Sequence, residues 1–409
     1  MSSTPGISQT ETHGRTRKIA PITLAACLIF WIFVFSDSGW GPLLTPLSGQ
    51  LHISLVTVGL FYVLWSTGYL PGALLGGAML DRYGPRRVLF GAALIVFCGI
   101  GCLLLGLLLP HFAPVIVLLM VAGLAGIGGG VIDASTNGVI SAVFARQRGS
   151  ALNLFNLLYP LGGVVVALVD AGLLTLFHND PRPAFLFTLC FIVAALLSLL
   201  GVPGTYRIEA PAAHTSDGNI VNESGLHRAR SLVAALAPVI VVMMLTAGIS
   251  ATVRAWTPSY LHVVFGQTPA IAAVLSGIVW ILAAMSRLGA AALILRTGSW
   301  KMVMFGILVT LLGFVAMMLS PNAIVATLAI ALTSIGLSPL FATCLAIGSE
   351  RVGRSLGSVA GILLFTSGIS VVFCSWFFGF LLNSAGPFWA VLFCFLSVLL
   401  GGVMALRLR

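Results

Sequence analysis

Charged residues are scarce in this chain. Only 7% of its 409 residues are charged and just ten are acidic, whereas 59% are hydrophobic. A soluble protein keeps about a quarter of its residues charged, so this sequence cannot cover a water-soluble surface. The long apolar runs also lack the alternation that indicates strands of a membrane β-barrel. These absences predict an all-α integral membrane protein.

Motifs for common catalytic and cofactor-binding sites are absent as well. No glycine-rich loop is followed by the Lys and Ser or Thr that hold a nucleotide phosphate, and no zincin, serine-hydrolase or haem pattern is found. The seven cysteines lie in apolar stretches and the seven histidines are scattered, so neither set has metal-ligand spacing. We therefore expect no enzyme, metal or cofactor, and no ATP-driven mechanism.

Apolar runs of the length needed to cross a bilayer, about 20 residues, fill nearly the whole chain. They predict twelve transmembrane helices, near residues 20–47, 55–80, 87–109, 113–143, 149–177, 183–203, 232–264, 269–296, 300–320, 322–349, 353–382 and 386–406. Four prolines are expected to kink or break these spans: Pro71, Pro160, Pro258 and Pro339. The expected domains are a cytoplasmic tail (1–19), an N-terminal six-helix bundle (20–203), a cytoplasmic linker (204–231) and a C-terminal six-helix bundle (232–409).

The distribution of basic residues predicts the orientation. Of 20 Lys and Arg residues, 17 lie in the tails or even-numbered loops, and only Arg182 lies in an odd-numbered loop. By the positive-inside rule, both termini then face the cytoplasm. The net charge of +10 is mostly a collar that faces anionic membrane lipid, so a nucleic-acid partner is not expected. We expect a monomer in the cell (inner) membrane.

Ionisable residues inside the apolar runs are candidates for function, because burying a charge in a membrane is costly. Asp37 in the first span and Asp133 in the fourth are the predicted proton-coupling residues. A carboxyl group held away from water binds a proton more readily, so it can exchange protons near neutral pH. Asp170, nearer the outer end of the fifth span, is a weaker candidate. The alternative for each is a permanently paired or helix-capping aspartate.

Two arginines, Arg254 and Arg287, also lie within predicted spans and keep their charge at ordinary pH. By depth, Arg254 matches Asp37 and Arg287 roughly matches Asp133. One hypothesis is that the pairs Asp37–Arg254 and Asp133–Arg287 latch the two halves until a proton or a substrate releases them. Both arginines are also predicted substrate-binding residues, and the alternative is an arginine held by packing.

Amide and aromatic side chains near these charges could contact a solute. Asn137 follows Asp133 by four residues and shares its helical face, and Asn153 and Asn156 begin the fifth span. Their amides suit a hydroxylated ligand, with interhelical hydrogen bonds as the alternative.

Aromatic residues in two spans could likewise contact a ligand or serve a structural role. Trp256 and Tyr260 are four residues apart in the seventh span, where they could stack on a ligand or anchor the helix at the membrane interface. Tyr62, Trp65 and Tyr69 in the second span are expected to serve packing or the interface.

A basic turn joins the second and third spans. It has the pattern G-x-x-x-D-R-x-G-x-R-R, formed by Gly77, Asp81, Arg82, Gly84, Arg86 and Arg87. This pattern resembles the loop of the major facilitator superfamily, a class of secondary transporters. The resemblance implies twelve helices in two pseudo-symmetric six-helix bundles. It also implies that Asp81 interacts with the start of the eleventh span, and that the arginines form a gating network with Glu350 as a possible partner.

The second half contains a weak copy of this turn, Leu295-Arg296-Thr297-Gly298. Two similar halves suit alternating access around a central site. The run from Gly128 through Asp133 and Asn137 to Asn153 is loosely similar to the fucose and glucose permease-like branch, which implies proton symport. The predicted function is therefore secondary active transport of a small polar solute, sugar-like or an organic anion, coupled to protons. The alternatives are a proton-driven exporter of amphipathic drugs or lipids and a non-transporting receptor on the same scaffold.

Overall fold

The structure, a computed structural model, describes residues 9–109, 115–144, 154–202, 225–352 and 356–408. Within these ranges the chain is almost entirely helical and contains no strand. Helices are favoured because a bilayer offers no hydrogen bonds to an exposed backbone. They are α1 (Gln9–Ser38), α2 (Trp40–Leu51), α3 (Leu55–Tyr83), α4 (Pro85–Leu108), α5 (Val115–Val143), α6 (Leu158–Leu176), α7 (Arg182–Ser198), α8 (Gly225–Phe265), α9 (Pro269–Thr297), α10 (Ser299–Met318), α11 (Ala323–Leu337), α12 (Leu340–Val352), α13 (Leu356–Ser384) and α14 (Pro387–Ala405).

Twelve segments of the described chain are long and apolar enough to cross a membrane, from Pro21–Ser38 to Pro387–Leu408. Each overlaps one of the twelve predicted spans, so the predicted fold class is confirmed. At the eleventh span the helix α13 begins at Leu356, close to the expected start near residue 353.

Two helices begin before the expected spans. Helix α1 starts at Gln9, inside the expected tail 1–19, and α8 starts at Gly225, inside the expected linker 204–231. Residues 204–224 lie outside the described residues. The boundaries of the two bundles therefore stay predictions.

Only one of the four prolines expected to distort a span coincides with a break between helices. Pro339 lies between the end of α11 at Leu337 and the start of α12 at Leu340. Pro71 and Pro258 lie inside the uninterrupted helices α3 and α8. Pro160 lies in the first turn of α6, where the missing N–H group is tolerated.

Corresponding positions of the two halves share the same backbone geometry. Ser54 and Thr268 cap the N-termini of α3 and α9, and each side chain accepts a hydrogen bond from the backbone N–H three residues on. The two helices, both of 29 residues, end at Gly84 (φ 77°, ψ 161°) and Gly298 (φ 82°, ψ 158°). The second copy of the basic turn is thus a conformational repeat of the first.

Small residues bring helices of the two halves together. Gly368 of α13 packs against Leu70 of α3, and Gly163 of α6 packs against the ring of Trp280 of α9, so that a Cβ atom at either glycine would clash. Close approach through glycine is common between membrane helices, because dispersion contacts replace the hydrophobic effect there. These crossings form the interface beside the candidate site.

Arg182, the exception to the predicted charge alternation, forms an ion pair. Its guanidinium Nη2 lies 2.5 Å from Oδ2 of Asp180, two residues before it. The hydrogen bonds from Arg182 hold the pKa of the Asp180 carboxyl below its usual range. Since the two charges cancel locally, this loop adds almost no net positive charge to its side of the membrane.

Candidate functional site

The first predicted proton-coupling residue, Asp37 of α1, is bound by two aromatic donors from other helices. The Tyr159 hydroxyl of α6 donates to Asp37 Oδ2 at 2.6 Å. The Trp65 indole Nε1 of α3 donates to Asp37 Oδ1 at 3.1 Å. Both oxygens of this carboxyl group are therefore satisfied by neutral groups within the N-terminal half.

The second candidate, Asp133 of α5, has an equivalent environment. The Tyr69 hydroxyl of α3 donates to its Oδ2 at 2.5 Å, and Asn137 Nδ2 donates to its Oδ1 at 2.9 Å. Asn156 in turn donates to Asn137 Oδ1 at 2.9 Å, and its side chain is exposed. A chain of hydrogen bonds therefore leads from the surface to this carboxyl group.

Phe33 of α1 separates the two carboxyl clusters. Its ring stacks on Tyr69 with centroids 5.6 Å apart and on Tyr159 with centroids 5.9 Å apart. The tyrosines that bind Asp133 and Asp37 therefore both pack on Phe33, so the two carboxyl clusters are in contact through this ring.

The two arginines lie on the facing helices of the C-terminal half. Arg254 of α8 donates from Nη1 to Ser250 Oγ at 2.6 Å, and its Cζ lies 5.7 Å from the Trp280 ring and 6.0 Å from the Tyr159 ring. Arg287 of α9 donates from Nε to Ser338 Oγ at 2.9 Å. Aromatic faces stabilise a cation that has been removed from water.

A polar cavity is bordered by these arginines and by hydroxyl groups. Its lining includes Arg254, Arg287, Ser250, Ser276, Ser334, Ser338, Thr257 and Trp280. The cavity volume is about 20 Å³, which accommodates roughly one water molecule. A sugar-sized molecule does not fit into this cavity as it stands.

The hypothesis of direct Asp37–Arg254 and Asp133–Arg287 ion pairs is wrong for this conformation. Among the residues that the structure describes, Arg182–Asp180 is the one ion pair. Asp37 instead accepts a hydrogen bond from the Tyr159 hydroxyl, and Arg254 lies over the Tyr159 ring. The physical reason is that neutral donors already occupy the carboxylate oxygens, while serines and rings hold the guanidinium groups.

Other predicted substrate-binding residues lie elsewhere. Trp256 is 2% exposed, and its ring packs against Gly59 and Gly379 of helices from both halves. Tyr260 is also buried and makes an edge contact with Phe265. Neither residue lines the polar cavity, so their contact with a solute stays a prediction. Asn153 lies outside the described residues.

The predicted gating residues lie at the turn between α3 and α4. Gly84 takes a left-handed conformation there, and its N–H donates to the Leu80 carbonyl at 3.0 Å. Arg82 lies over the ring of Tyr83, with Cζ 5.3 Å from the centroid. Gly77, Arg86 and Arg87 are on the same two helices. The side chains of Asp81 and Glu350 lie outside the described part, so their interactions stay predictions.

Several site residues were missed by the sequence analysis. Trp65 and Tyr69 were assigned to packing or to the membrane interface, yet each donates to a half-buried aspartate. Tyr159 was not assigned a role, although it contacts groups from both halves. The available signal was that three polar aromatic residues occupy spans next to those of the aspartates, where a phenol or indole N–H needs a partner.

Asp170 of α6 is separate from this cluster. It is 6% exposed, lines a different cavity with Trp40 and Thr188, and its Oδ2 has no hydrogen-bond partner among the described residues. The side chain therefore takes no direct part in the polar site.

Comparison with known proteins gives a family match and several relatives. The Major Facilitator Superfamily profile matches residues 26–373. A hexuronate transporter of Bacillus subtilis (strain 168) is 27% identical over 374 residues, which cover 83% of this chain and 82% of that protein. The sodium-dependent glucose transporter 1 of Danio rerio is 25% identical over 209 residues, 51% of this chain and 33% of that protein.

Solved structures share the fold at low sequence identity. A D-xylose–proton symporter has a TM-score of 0.75 and 17% identity, covering 95% of this chain and 97% of that chain. The D323A mutant of the nucleoside transporter NupG has a TM-score of 0.76 and 13% identity, covering 95% and 99%. At these identities the likeness establishes the common architecture.

Proposed function

Since the chain belongs to the Major Facilitator Superfamily, we propose that it is a secondary active transporter that moves a small polar solute by alternating access, coupled to protons in symport. The family is one of transporters, so the expectation that the chain is not an enzyme holds. The candidate solutes are sugar-like molecules and organic anions. The similarity to a hexuronate transporter and to the fold of a D-xylose–proton symporter supports this range.

The observation that carries the proposal is the contact between Tyr159 and groups of both halves. Its hydroxyl binds Asp37 in the N-terminal half, while its ring contacts Arg254 and Trp280 in the C-terminal half. A change in the charge of Asp37 therefore acts on the residues that line the polar cavity. Proton binding and solute binding are coupled through one side chain.

The proposed coupling follows from electrostatics. When Asp37 is ionised, its charge attracts Arg254 across Tyr159 through a medium of low dielectric constant. When Asp37 is protonated, this attraction is lost and the two halves separate more easily around the cavity. Asp133, which accepts hydrogen bonds from Tyr69 and Asn137, is the second proposed proton site.

Alternating access requires that the cavity open to each side in turn. The contacts of Gly368 with Leu70 and of Gly163 with Trp280 lie between halves that have the same local geometry. Two such halves can rotate as bodies about their interface. The basic turn at Gly84, with both termini at the cytoplasmic side, restricts this movement at one end.

Asp37→Asn and Asp133→Asn test the proposal. We expect each variant in proteoliposomes to lose accumulation of a labelled solute driven by a pH gradient, because an amide cannot carry the proton. Exchange of labelled for unlabelled solute without a gradient should continue. The solute is first chosen from sugars and sugar acids by thermal stabilisation of the purified protein.

The control is Asp180→Asn, which removes a carboxylate that lies outside the site and pairs with Arg182. It should accumulate solute as the wild type does. Full gradient-driven accumulation in both Asp37→Asn and Asp133→Asn would show that neither residue couples protons. Absence of exchange for every solute that stabilises the wild type would argue against transport itself.

A further inference from the structure

We propose that Arg254 and Arg287 together bind the carboxylate group of the transported solute, so that the substrate is a small hydroxylated organic anion and not an uncharged sugar. This inference rests on the proposed transport function and narrows the class of its substrate. It follows from two half-buried positive charges that line one cavity between α6, α8, α9 and α11.

Both arginines remain charged, and both line the same cavity. Neither lies within ion-pair distance of a carboxylate in the part of the chain that is described. Each donates one described side-chain hydrogen bond, to Ser250 and to Ser338 respectively, although a guanidinium carries five N–H donors. Both arginines therefore line this cavity with N–H donors that have no described protein acceptor.

Asp37 offsets only part of this charge. It acts on Arg254 across Tyr159, and its oxygens accept hydrogen bonds from Tyr159 and Trp65. The described charged group that acts on Arg287 is Arg254, which has the same sign. Two positive charges with one acid between them are unfavourable inside a membrane. An anion from the solution that binds between the two would remove most of this cost.

The neutral groups in the cavity indicate the rest of the ligand. Ser334 is 6% exposed and lines the cavity, and its Oγ has no hydrogen-bond partner within the described ranges. Ser276 and Thr257 add two more hydroxyl groups to the lining. A solute with hydroxyl groups next to its carboxylate would satisfy the arginines and the serine together.

Aromatic rings from both halves lie next to Arg254. The Trp280 and Tyr159 rings, from α9 and α6, lie 5.7 and 6.0 Å from Cζ of Arg254. A carboxylate bound there contacts α8 and α9 directly and is within reach of Tyr159 from α6. Anion binding would therefore bring the halves together around the solute, as alternating access requires.

The test compares ligands that differ only in charge, with the purified full-length protein. The probes are lactate, gluconate and glucuronate, each beside its uncharged methyl ester or amide, and thermal stabilisation reports binding. We expect at least one anion to stabilise the wild type and its uncharged counterpart to have no effect. Arg287→Gln should weaken binding of that anion by about ten- to a hundredfold, because charge-assisted hydrogen bonds are lost, and Arg287→Lys should lose less.

Arg182→Gln is the control, since this arginine pairs with Asp180 outside the cavity. It should bind the anion with wild-type affinity. The inference is overturned if no anion of the panel stabilises the wild type, if the uncharged counterpart binds equally well, or if folded Arg287→Gln retains full affinity. The comparison of charged with uncharged ligands uses the wild-type protein. It therefore still tests the inference if a variant fails to fold.

Exchange in proteoliposomes separates this inference from the proposed function. Exchange of labelled anions but not of their neutral counterparts supports both. Exchange of an uncharged sugar alone would overturn the anion site and leave transport intact. No exchange of any bound solute would overturn the transport function.

Discussion

Tyr159 contacts residues of the candidate site from both halves. Its hydroxyl donates to Asp37 at 2.6 Å, and its ring makes an edge contact with Trp280 at a centroid distance of 5.7 Å. The hydroxyl and the ring serve different partners, so the two contributions can be separated by mutation. Removal of the hydroxyl alone tests the connection to the proton site.

Tyr159→Phe should lower gradient-driven accumulation by about tenfold, since a hydrogen bond to a charged group contributes roughly 1.5–3 kcal/mol. Exchange without a gradient should continue, because the phenylalanine ring keeps its contacts with Trp280 and Arg254. The measurement is uptake of a labelled solute with and without a pH gradient. Thr175→Val, which removes a hydroxyl of the same helix that donates to the Ala171 carbonyl, is the control. Wild-type accumulation in Tyr159→Phe would mean that the tyrosine only packs.

The sequence singles out the acidic residues of the candidate site and Asn137 next to Asp133, but not the aromatic partners. Asp37 and Asp133 stand out because a carboxyl group within an apolar span is rare. Their partners are a tryptophan, two tyrosines and an asparagine, which are also common as packing residues. Matching depths suggested arginine partners, and this was wrong because depth along a helix does not determine which way a side chain points.

At the scale of the elements, the turn after α3 and the turn after α9 require glycine. Gly84 and Gly298 have φ of 77° and 82° with ψ of 161° and 158°. This region of backbone conformation is essentially restricted to glycine, and another residue there costs about 1–3 kcal/mol. The repeated conformation lets two long helices reverse direction with no additional loop residues.

Gly84→Ala and Gly298→Ala should each destabilise the protein by about 1–3 kcal/mol. The free-energy change is measured by denaturant unfolding in detergent, beside the wild type. Gly91→Ala is the control, because Gly91 lies inside α4 with open space around its Cα. That variant should be neutral or slightly more stable, since alanine favours a helix by about 0.5–1 kcal/mol. Equal stability of all three variants would contradict a conformational requirement at the turns.

Element boundaries were predictable where composition changes sharply. Apolar runs located all twelve spans, because only a helix satisfies its backbone in a bilayer. The early starts of α1 at Gln9 and α8 at Gly225 were missed, since polar residues outside the membrane can continue a helix with no change in the apolar pattern. Likewise Pro71 and Pro258 remain inside helices, because packing compensates for the lost hydrogen bond.

At the scale of the whole molecule, the two halves meet at equivalent positions. The Thr45 hydroxyl of α2 donates to Ser259 Oγ of α8 at 3.2 Å, and these residues are 214 positions apart, the same spacing that separates Gly84 from Gly298. Residues related by a pseudo-symmetry operation can touch only close to its axis. The contact therefore places α2 and α8 next to the axis between the halves, at the end of α8 beyond Arg254.

A disulfide at this contact should lock the transporter. In a background with the exposed Cys98 and Cys190 changed to serine, Thr45→Cys with Ser259→Cys should form a cross-link on oxidation, because the two hydroxyl groups are already adjacent. Solute exchange should then fall to background, since the halves cannot separate at this end, and a reductant should restore it.

The matched control places a disulfide inside one half. Ser54 Oγ and Thr57 Oγ1 are 2.9 Å apart at the start of α3, so Ser54→Cys with Thr57→Cys should also cross-link, but exchange should continue. Each single cysteine variant should be insensitive to oxidation. Full exchange by the cross-linked Thr45–Ser259 pair would mean that the ends of α2 and α8 stay together throughout the cycle, and the two halves would then have to open the site by bending within helices and not by rotating as bodies.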